Sequence, residues 1–137
     1  MIVADTSAVV ALVDHDDRWH EPVRALFETD PGAWVIPWAT LPEIDYLLAT
    51  HVGRNAQDAF LADLAEGAFA VEWGRPEDAR RAHVVHTKHR ALRLGLVDSV
   101  VIAVAERLRA KAIATLDLRH FGAVALRGRP KLLPRDA

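Results

Sequence analysis

Leu94–Asp117, LGLVDSVVIAVAERLRAKAIATLD, sets an acid at either end of a long apolar stretch: Asp98 near its beginning and Asp117 at its close. Val97, Val100, Val101, Val104 and Leu108 recur at helical spacing, and most positions between them up to Ala105 are also apolar. That pattern predicts a helix buried over most of its circumference. Asp98 falls where such a helix begins, with its charge near the positive end of the helix dipole. Ile113–Ala114–Thr115 then reads as a short strand with Asp117 just past its end. A carboxylate at a helix start and another beyond a strand are how a parallel sheet builds a site at its carboxyl edge.

Composition narrows the classes of function. At 137 residues the chain reads as one domain, residues 1–137, long enough to bury a substantial core. An apolar content of 51% predicts a folded protein rather than a disordered one. The net charge of −2 provides no global field to attract nucleic acid, so such a role rests on local basic patches or on metal ions. The absence of cysteine removes disulfides, thiolate nucleophiles and thiolate metal sites. No apolar run approaches the ~20 residues of a membrane span, and no charged n-region precedes the first apolar segment, so a cytoplasmic protein without a membrane role is expected.

Around the organising stretch, strands and helices alternate. Ile2–Val3–Ala4 reads as a central strand tipped by Asp5, and Thr6 or Ser7 caps a helix over Ala8–Val13. A second helix begins near Glu21–Pro22 and runs to Thr29. Trp34–Val35–Ile36 is a second strand, and Thr40-x-x-Glu43 reads as a capping box opening a third helix through His51. Asn55 caps a fourth helix closed by Gly67, Phe69–Val71 is a third strand, and Pro76 starts a fifth, more polar helix through His89. Val124–Leu126 is expected to be the last strand, followed by a basic, proline-bounded tail. The alternation predicts a three-layer α/β/α fold with a central, mainly parallel sheet flanked by helices.

Four acids then share one setting: Asp5 past the first strand, Glu43 in the first turn of a helix, Asp98 at a helix start and Asp117 past a strand. Each alone also has a purely structural reading, Glu43 as the capping-box partner of Thr40, Asp98 as an N-cap and Asp117 as a turn residue. Strand ends and the starts of the following helices lie on one edge of a parallel sheet, so the four are placed to converge. Two carboxylates about 4 Å apart repel by roughly 1–4 kcal/mol. A divalent cation would offset that repulsion, and hard oxygen donors without cysteine favour Mg²⁺ or Mn²⁺. Phosphodiester hydrolysis is the chemistry such an ion serves.

These acids and their surroundings resemble the PIN-domain ribonucleases, and the small size is similar to the VapC toxins of bacterial toxin–antitoxin pairs. The matching pieces are Ile2–Val3–Ala4–Asp5–Thr6–Ser7 and Pro42–Glu43–Ile44–Asp45–Tyr46–Leu47–Leu48. They continue with Gly95–Leu96–Val97–Asp98–Ser99–Val100–Val101–Ile102–Ala103 and Ala114–Thr115–Leu116–Asp117–Leu118–Arg119–His120–Phe121. The resemblance implies a metal-dependent endoribonuclease whose Asp5, Glu43, Asp98 and Asp117 are the catalytic, Mg²⁺- or Mn²⁺-holding set. It further implies support from Thr6 or Thr115, an RNA substrate, a VapB-like antitoxin whose C-terminal part covers the active-site groove, and a homodimer. Ser99 stands where many relatives carry alanine.

Other features are given structural readings first. Asp14, Asp16 and Asp17 do not make a calcium loop, because Trp19 and Ala25 occupy the positions that need glycine and an acid. His83, His86 and His89, three apart, drift around a helix and lack the i,i+4 pair of a helical zinc motif. Arg80, Arg81, Lys88, Arg90 and Arg93 form a solvated face or, alternatively, a phosphate contact beside the acids, and Arg119 and His120 carry the same two readings. Trp19, Trp34, Trp38 and Trp73 are read as core or partner-facing. A haloacid-dehalogenase-like site would need an acid where Ser7 stands, and a receiver domain would need a central aspartate after the third strand. The remaining rival to the nuclease is a catalytically silent RNA- or antitoxin-binding module.

Overall fold

The computed structural model describes all 137 residues. Five short strands, β1 (Ile2–Ala4), β2 (Trp34–Pro37), β3 (Ala70–Glu72), β4 (Ala112–Ala114) and β5 (Lys131–Leu133), form one sheet in the order β3-β2-β1-β4-β5. Every pairing is parallel. Between β1 and β2 lie α1 (Thr6–Val13) and α2 (His20–Thr29), and between β2 and β3 lie α3 (Leu41–Leu47) and α4 (Arg54–Glu66). α5 (Pro76–Lys88) and α6 (Gly95–Arg107) connect β3 to β4, and the single turn α7 (Leu118–Phe121) follows β4. The expected parallel sheet with flanking helices is therefore present.

Period-two alternation along the strands splits the apolar residues between two cores. Val3, Val35, Ile113 and Leu132 point to the face covered by α5 and α6, where they pack with Ala82, Val85 and the Val100–Val104 segment. Ile2, Ala4, Ile36, Ala112 and Ala114 point to the other face, against Ala8, Val9, Val23, Ile44, Leu48 and Phe60. Ser99 through Ala105, seven consecutive residues of α6, are all buried, which is why the helix shows little amphipathic contrast in sequence.

Most boundaries shift by a residue or two: α1 starts at Thr6 rather than Ala8, with no side-chain cap from Thr6 or Ser7, and three larger differences follow. The last strand is Lys131–Leu133, not Val124–Leu126. Val124 and Leu126 are apolar because they pack against the α5/α6 core from a non-strand segment. Pro130 and Pro134 bracket β5 and leave its ladder donors intact; Lys131 N donates to Lys111 O at 2.9 Å, and Thr115 N donates back to Leu133 O at 2.9 Å. Secondly, α6 begins at Gly95, whose φ of +76° follows the left-handed Arg93 (φ +50°), so Asp98 lies within the first turn rather than at the cap. Thirdly, α3 gives way to a π-helical turn over Leu48–Val52, and α4 starts at Arg54 with no side-chain cap from Asn55.

The order of the strands fixes where a site belongs. From central β1 the chain moves outward through β2 and β3, then returns to β4 and β5 on the other side. β1 and β4 are neighbours from which the chain departs in opposite directions. The crevice beyond their carboxyl ends is the topological switch point, where open parallel sheets bind ligands.

Candidate functional site

Asp5 emerges from β1 at that switch point and is 3% exposed. Its backbone N–H donates to Ala114 O at 2.9 Å, which locks it to the end of β4. Its Oδ2 accepts two hydroxyl hydrogen bonds, from Thr115 Oγ1 at 2.9 Å and from Ser7 Oγ at 3.0 Å. Each hydroxyl is oriented in turn by a backbone amide: Asp117 N donates to Thr115 Oγ1 at 3.0 Å and Leu116 N donates to Ser7 Oγ at 2.9 Å. The β4–α7 turn thus aims both donors at one carboxylate oxygen. Burial, then the nearby Asp98 charge, push the Asp5 carboxyl up to about 6 despite those hydrogen bonds and one from the Thr6 backbone.

Asp98 and Asp117 meet across the same crevice, together with a residue that sequence reasoning did not place among the ligands. The ligand atoms of Asp98, Asp117 and His120 all lie within 4.8 Å of one another. His120 Nδ1 is 2.5 Å from Asp98 Oδ2 and 3.2 Å from Asp117 Oδ2. Asp117 caps α7 by accepting from His120 N at 3.1 Å, and that single turn presents the imidazole. Burial pushes the Asp98 carboxyl up, His120 opposes it, and the charges of Asp117 and Glu43 add to the rise. Glu43 is therefore within electrostatic reach of the cluster, although its side chain is exposed and stands outside the tight group.

The Thr40-x-x-Glu43 capping box does not form. Thr40 is buried and its Oγ1 donates to Pro37 O at 2.8 Å instead, so the Glu43 carboxylate is not spent on capping. Of the two threonines expected to support the acids, Thr115 does so through its hydroxyl, whereas Thr6 Oγ1 is buried without a partner. Ser7 was missed as a support. Its signal was the Asp-x-Ser spacing, which brings a hydroxyl back onto the preceding acid at a strand-to-helix turn. The signal for His120 was Asp117-x-x-His120, one helical turn that puts both side chains on one side.

The donor set suits a hard divalent cation. Two carboxyls pushed above their ordinary range by burial and by each other need a counter-charge, and the only cationic candidate in contact with Asp98 and Asp117 is the His120 ring. The carboxylates favour a hard cation, while the imidazole leaves the identity of the metal open. The other candidates fall away. His83, His86 and His89 are not gathered as ligands, and His86 Nδ1 accepts from Gly95 N at 3.2 Å, where it ties the end of α5 to the start of α6. Arg81 is committed to Glu106 at 2.8 Å, while Arg80, Lys88, Arg90 and Arg93 stay exposed. Asp14 and Asp17 accept backbone hydrogen bonds from Asp16 N and Trp19 N, so they serve as turn caps.

Fold and site together define a parallel α/β protein with an acid cluster at the topological switch point of its sheet. The family model for the PIN domain matches residues 2–126, and the chain belongs to that family. It is 36% identical over 124 residues to ribonuclease VapC26 of Mycobacterium tuberculosis, covering 90% of this chain and 91% of that protein, and is thus a homologue of the VapC ribonuclease toxins. Its fold matches that of Mycobacterium tuberculosis VapC20, a sarcin–ricin-loop-cleaving toxin, with a TM-score of 0.74 at 23% identity, over 82% of this chain and 87% of that one. It also matches FitAcB from Neisseria gonorrhoeae with a TM-score of 0.66 at 16% identity, over 96% of each chain. The resemblance read from the four motifs is borne out.

Proposed function

We propose that residues 1–137 work as one domain, a Mg²⁺- or Mn²⁺-dependent endoribonuclease acting as the toxin of a toxin–antitoxin pair. The observation that carries this reading is the convergence of Asp5, Asp98 and Asp117, with Glu43 in electrostatic reach, in a homologue of a VapC ribonuclease. Asp5, Glu43, Asp98 and Asp117 are the residues that would hold the ion. When bound, the ion supplies positive charge against the scissile phosphate and acidifies a nearby water.

The chain's own residues do the rest. Thr115 and Ser7 hold Asp5 in one orientation, so the carboxylate is set before any ligand arrives. The first turn of α6 and the cap of α7 fix Asp98 and Asp117 on rigid elements rather than on a long loop. His120 Nδ1 contacts both Asp98 and Asp117, so its ring fixes the orientation of these two carboxylates. Lys88 at the end of α5 and Arg90 and Arg93 in the connection to α6 offer phosphate contacts that the net charge of the molecule does not. By the same reading the partners are RNA and a VapB-like antitoxin, the protein is a homodimer, and it acts in the cytoplasm.

The test is 5′-end mapping of total RNA treated with purified, antitoxin-free protein, with Mg²⁺ or Mn²⁺, with chelator, and with Asp98→Asn. One or a few metal-dependent cuts, absent in a folded Asp98→Asn protein, are expected. Cuts retained by Asp98→Asn would overturn the site. No cuts from folded wild-type protein against any RNA fraction would instead favour the silent binding module.

A further inference from the structure

We propose that the cleft adjoining the acid cluster is a nucleobase pocket, in which Trp19 stacks an unpaired base of the RNA close to the bond being cut. The inference rests on the ribonuclease reading and adds to it a feature of the substrate, an extruded base. The cleft has a volume of ≈ 350 Å³ and is lined by Trp19, Thr115, Leu116, Leu118, Pro134 and Arg135. That volume lies within the range of small-molecule sites, ~300–1,000 Å³. Thr115 belongs to both places, since it lines the cleft and donates to Asp5 Oδ2 at 2.9 Å. Leu116 and Leu118 flank Asp117 on either side. None of the acids lines the cleft itself; Thr115 is the residue through which the two places join.

The walls favour a flat aromatic guest. Trp19 is 38% exposed and Leu118 41%, which are large values for apolar side chains on a protein with well-filled cores. The Arg18 guanidinium carbon stands over one face of the Trp19 ring, 5.1 Å from its centroid, so a base would stack on the other face. Trp19 is also held in place, since its backbone N–H donates to Asp17 Oδ1 at 2.7 Å and its carbonyl accepts from Val23 N at 3.1 Å. Arg135 on the far wall is paired with Asp136 at 2.7 Å and so adds surface without net charge. Unpaired RNA bases stack on tryptophan and on guanidinium planes.

Charge decides which part of the RNA enters. Asp14, Asp16 and Asp17 precede Arg18 and Trp19 and repel a phosphate backbone running over this loop. The contact is thus made through the neutral face of a base, turned away from the backbone. A base still in a duplex does not reach the cleft, so the pocket selects loops, bulges and single strands.

The test uses the full chain in chelator, which suppresses cleavage, and an oligoribonucleotide spanning the mapped cut with 2-aminopurine at successive unpaired positions. At one position wild-type protein is expected to quench the fluorescence. Trp19→Ala should lose the quench and bind about 10-fold more weakly, Trp19→Phe should keep most of both, and all three should melt alike. An abasic residue at that position should weaken wild type but not Trp19→Ala, and with metal restored Trp19→Ala should raise KM while leaving kcat nearly unchanged. Equal quenching and equal abasic loss in wild type and Trp19→Ala would overturn the pocket. So would a Trp19→Ala protein that handles RNA normally but loses its antitoxin, which would give the cleft to a protein partner. Wild-type protein that cuts and binds no RNA would fail the ribonuclease reading itself. Wild-type and Trp19→Ala proteins that cut with the same KM would fail only the pocket.

Discussion

Asp5 is held by Thr115 and Ser7 while burial and the Asp98 charge push its carboxyl up to about 6, against 3.8 for the free group. The folded protein therefore binds more protons than the unfolded chain between those values, and metal-free stability rises as pH falls from above 6 towards 4. Asp5→Asn removes the charge and keeps an oxygen to accept the two hydroxyls. We expect metal-free wild type to melt higher at pH 5 than at pH 7.5, and the thermal melts of Asp5→Asn to show a smaller change across that interval. The same carboxylate needs its donors for function. Thr115→Val conserves shape but deletes the bond to Asp5 and the acceptor for Asp117 N. Metal-supported cleavage should fall by about 10–100-fold with the melting temperature nearly kept, and Thr115→Ser should restore it. Unchanged cleavage rates would show that the hydroxyl only fills space.

At the level of elements, what the sequence made legible follows from which signals are local. α6 was plain because Val100–Ala105 is an unbroken apolar run, and β1 was plain because Asp5 ends it. The start of α6 was not, because Gly95 and Arg93 open it through left-handed backbone that hydrophobic spacing does not record. β5 was hidden for a different reason: Lys131–Leu133 is a short run whose strand character comes from pairing with β4. His120 was hidden because α7 is a single turn, too short for periodicity to register. The far end of α6 was equally hard to foresee. There Arg107 Nε donates to Asp78 Oδ1 at 2.7 Å and its Nη2 donates to Glu72 Oε1 at 2.7 Å, tying α6 to α5 and β3. Burial raises the Asp78 carboxyl, but Arg107 and the Arg75 amide overcome that and hold it below its ordinary value. Asp78→Asn leaves Arg107 without its carboxylate and should cost about 3 kcal/mol at neutral pH by urea unfolding. Because the folded carboxyl is the lowered one, the wild-type advantage should be lost as pH falls below about 4. An advantage that persists in acid would mean the loss comes from packing rather than charge.

Across the whole molecule, stability and function are drawn from different places. Two apolar cores hold the sheet from both faces, whereas the acids at its carboxyl edge set like charges together beside a single imidazole. The fold does not need the site, and at neutral pH the site works against the fold until a cation arrives. A ligand that binds only the folded state adds RT ln(1 + [L]/Kd), about 2.7 kcal/mol at a hundredfold excess over Kd. For a chain of this size that is a rise on the order of 5–10 °C in melting temperature. Mg²⁺ or Mn²⁺ at pH 7.5 should produce such a rise in wild type, beyond that given by NaCl at equal ionic strength. Asp98→Asn should melt higher than wild type without the ion, having lost one of the repelling charges, and should gain little when the ion is added. The two proteins would then exchange order as the cation is titrated. An equal rise in both would put the stabilising ion somewhere other than the acid cluster, and no rise in either would mean that the cluster takes up no stabilising ion.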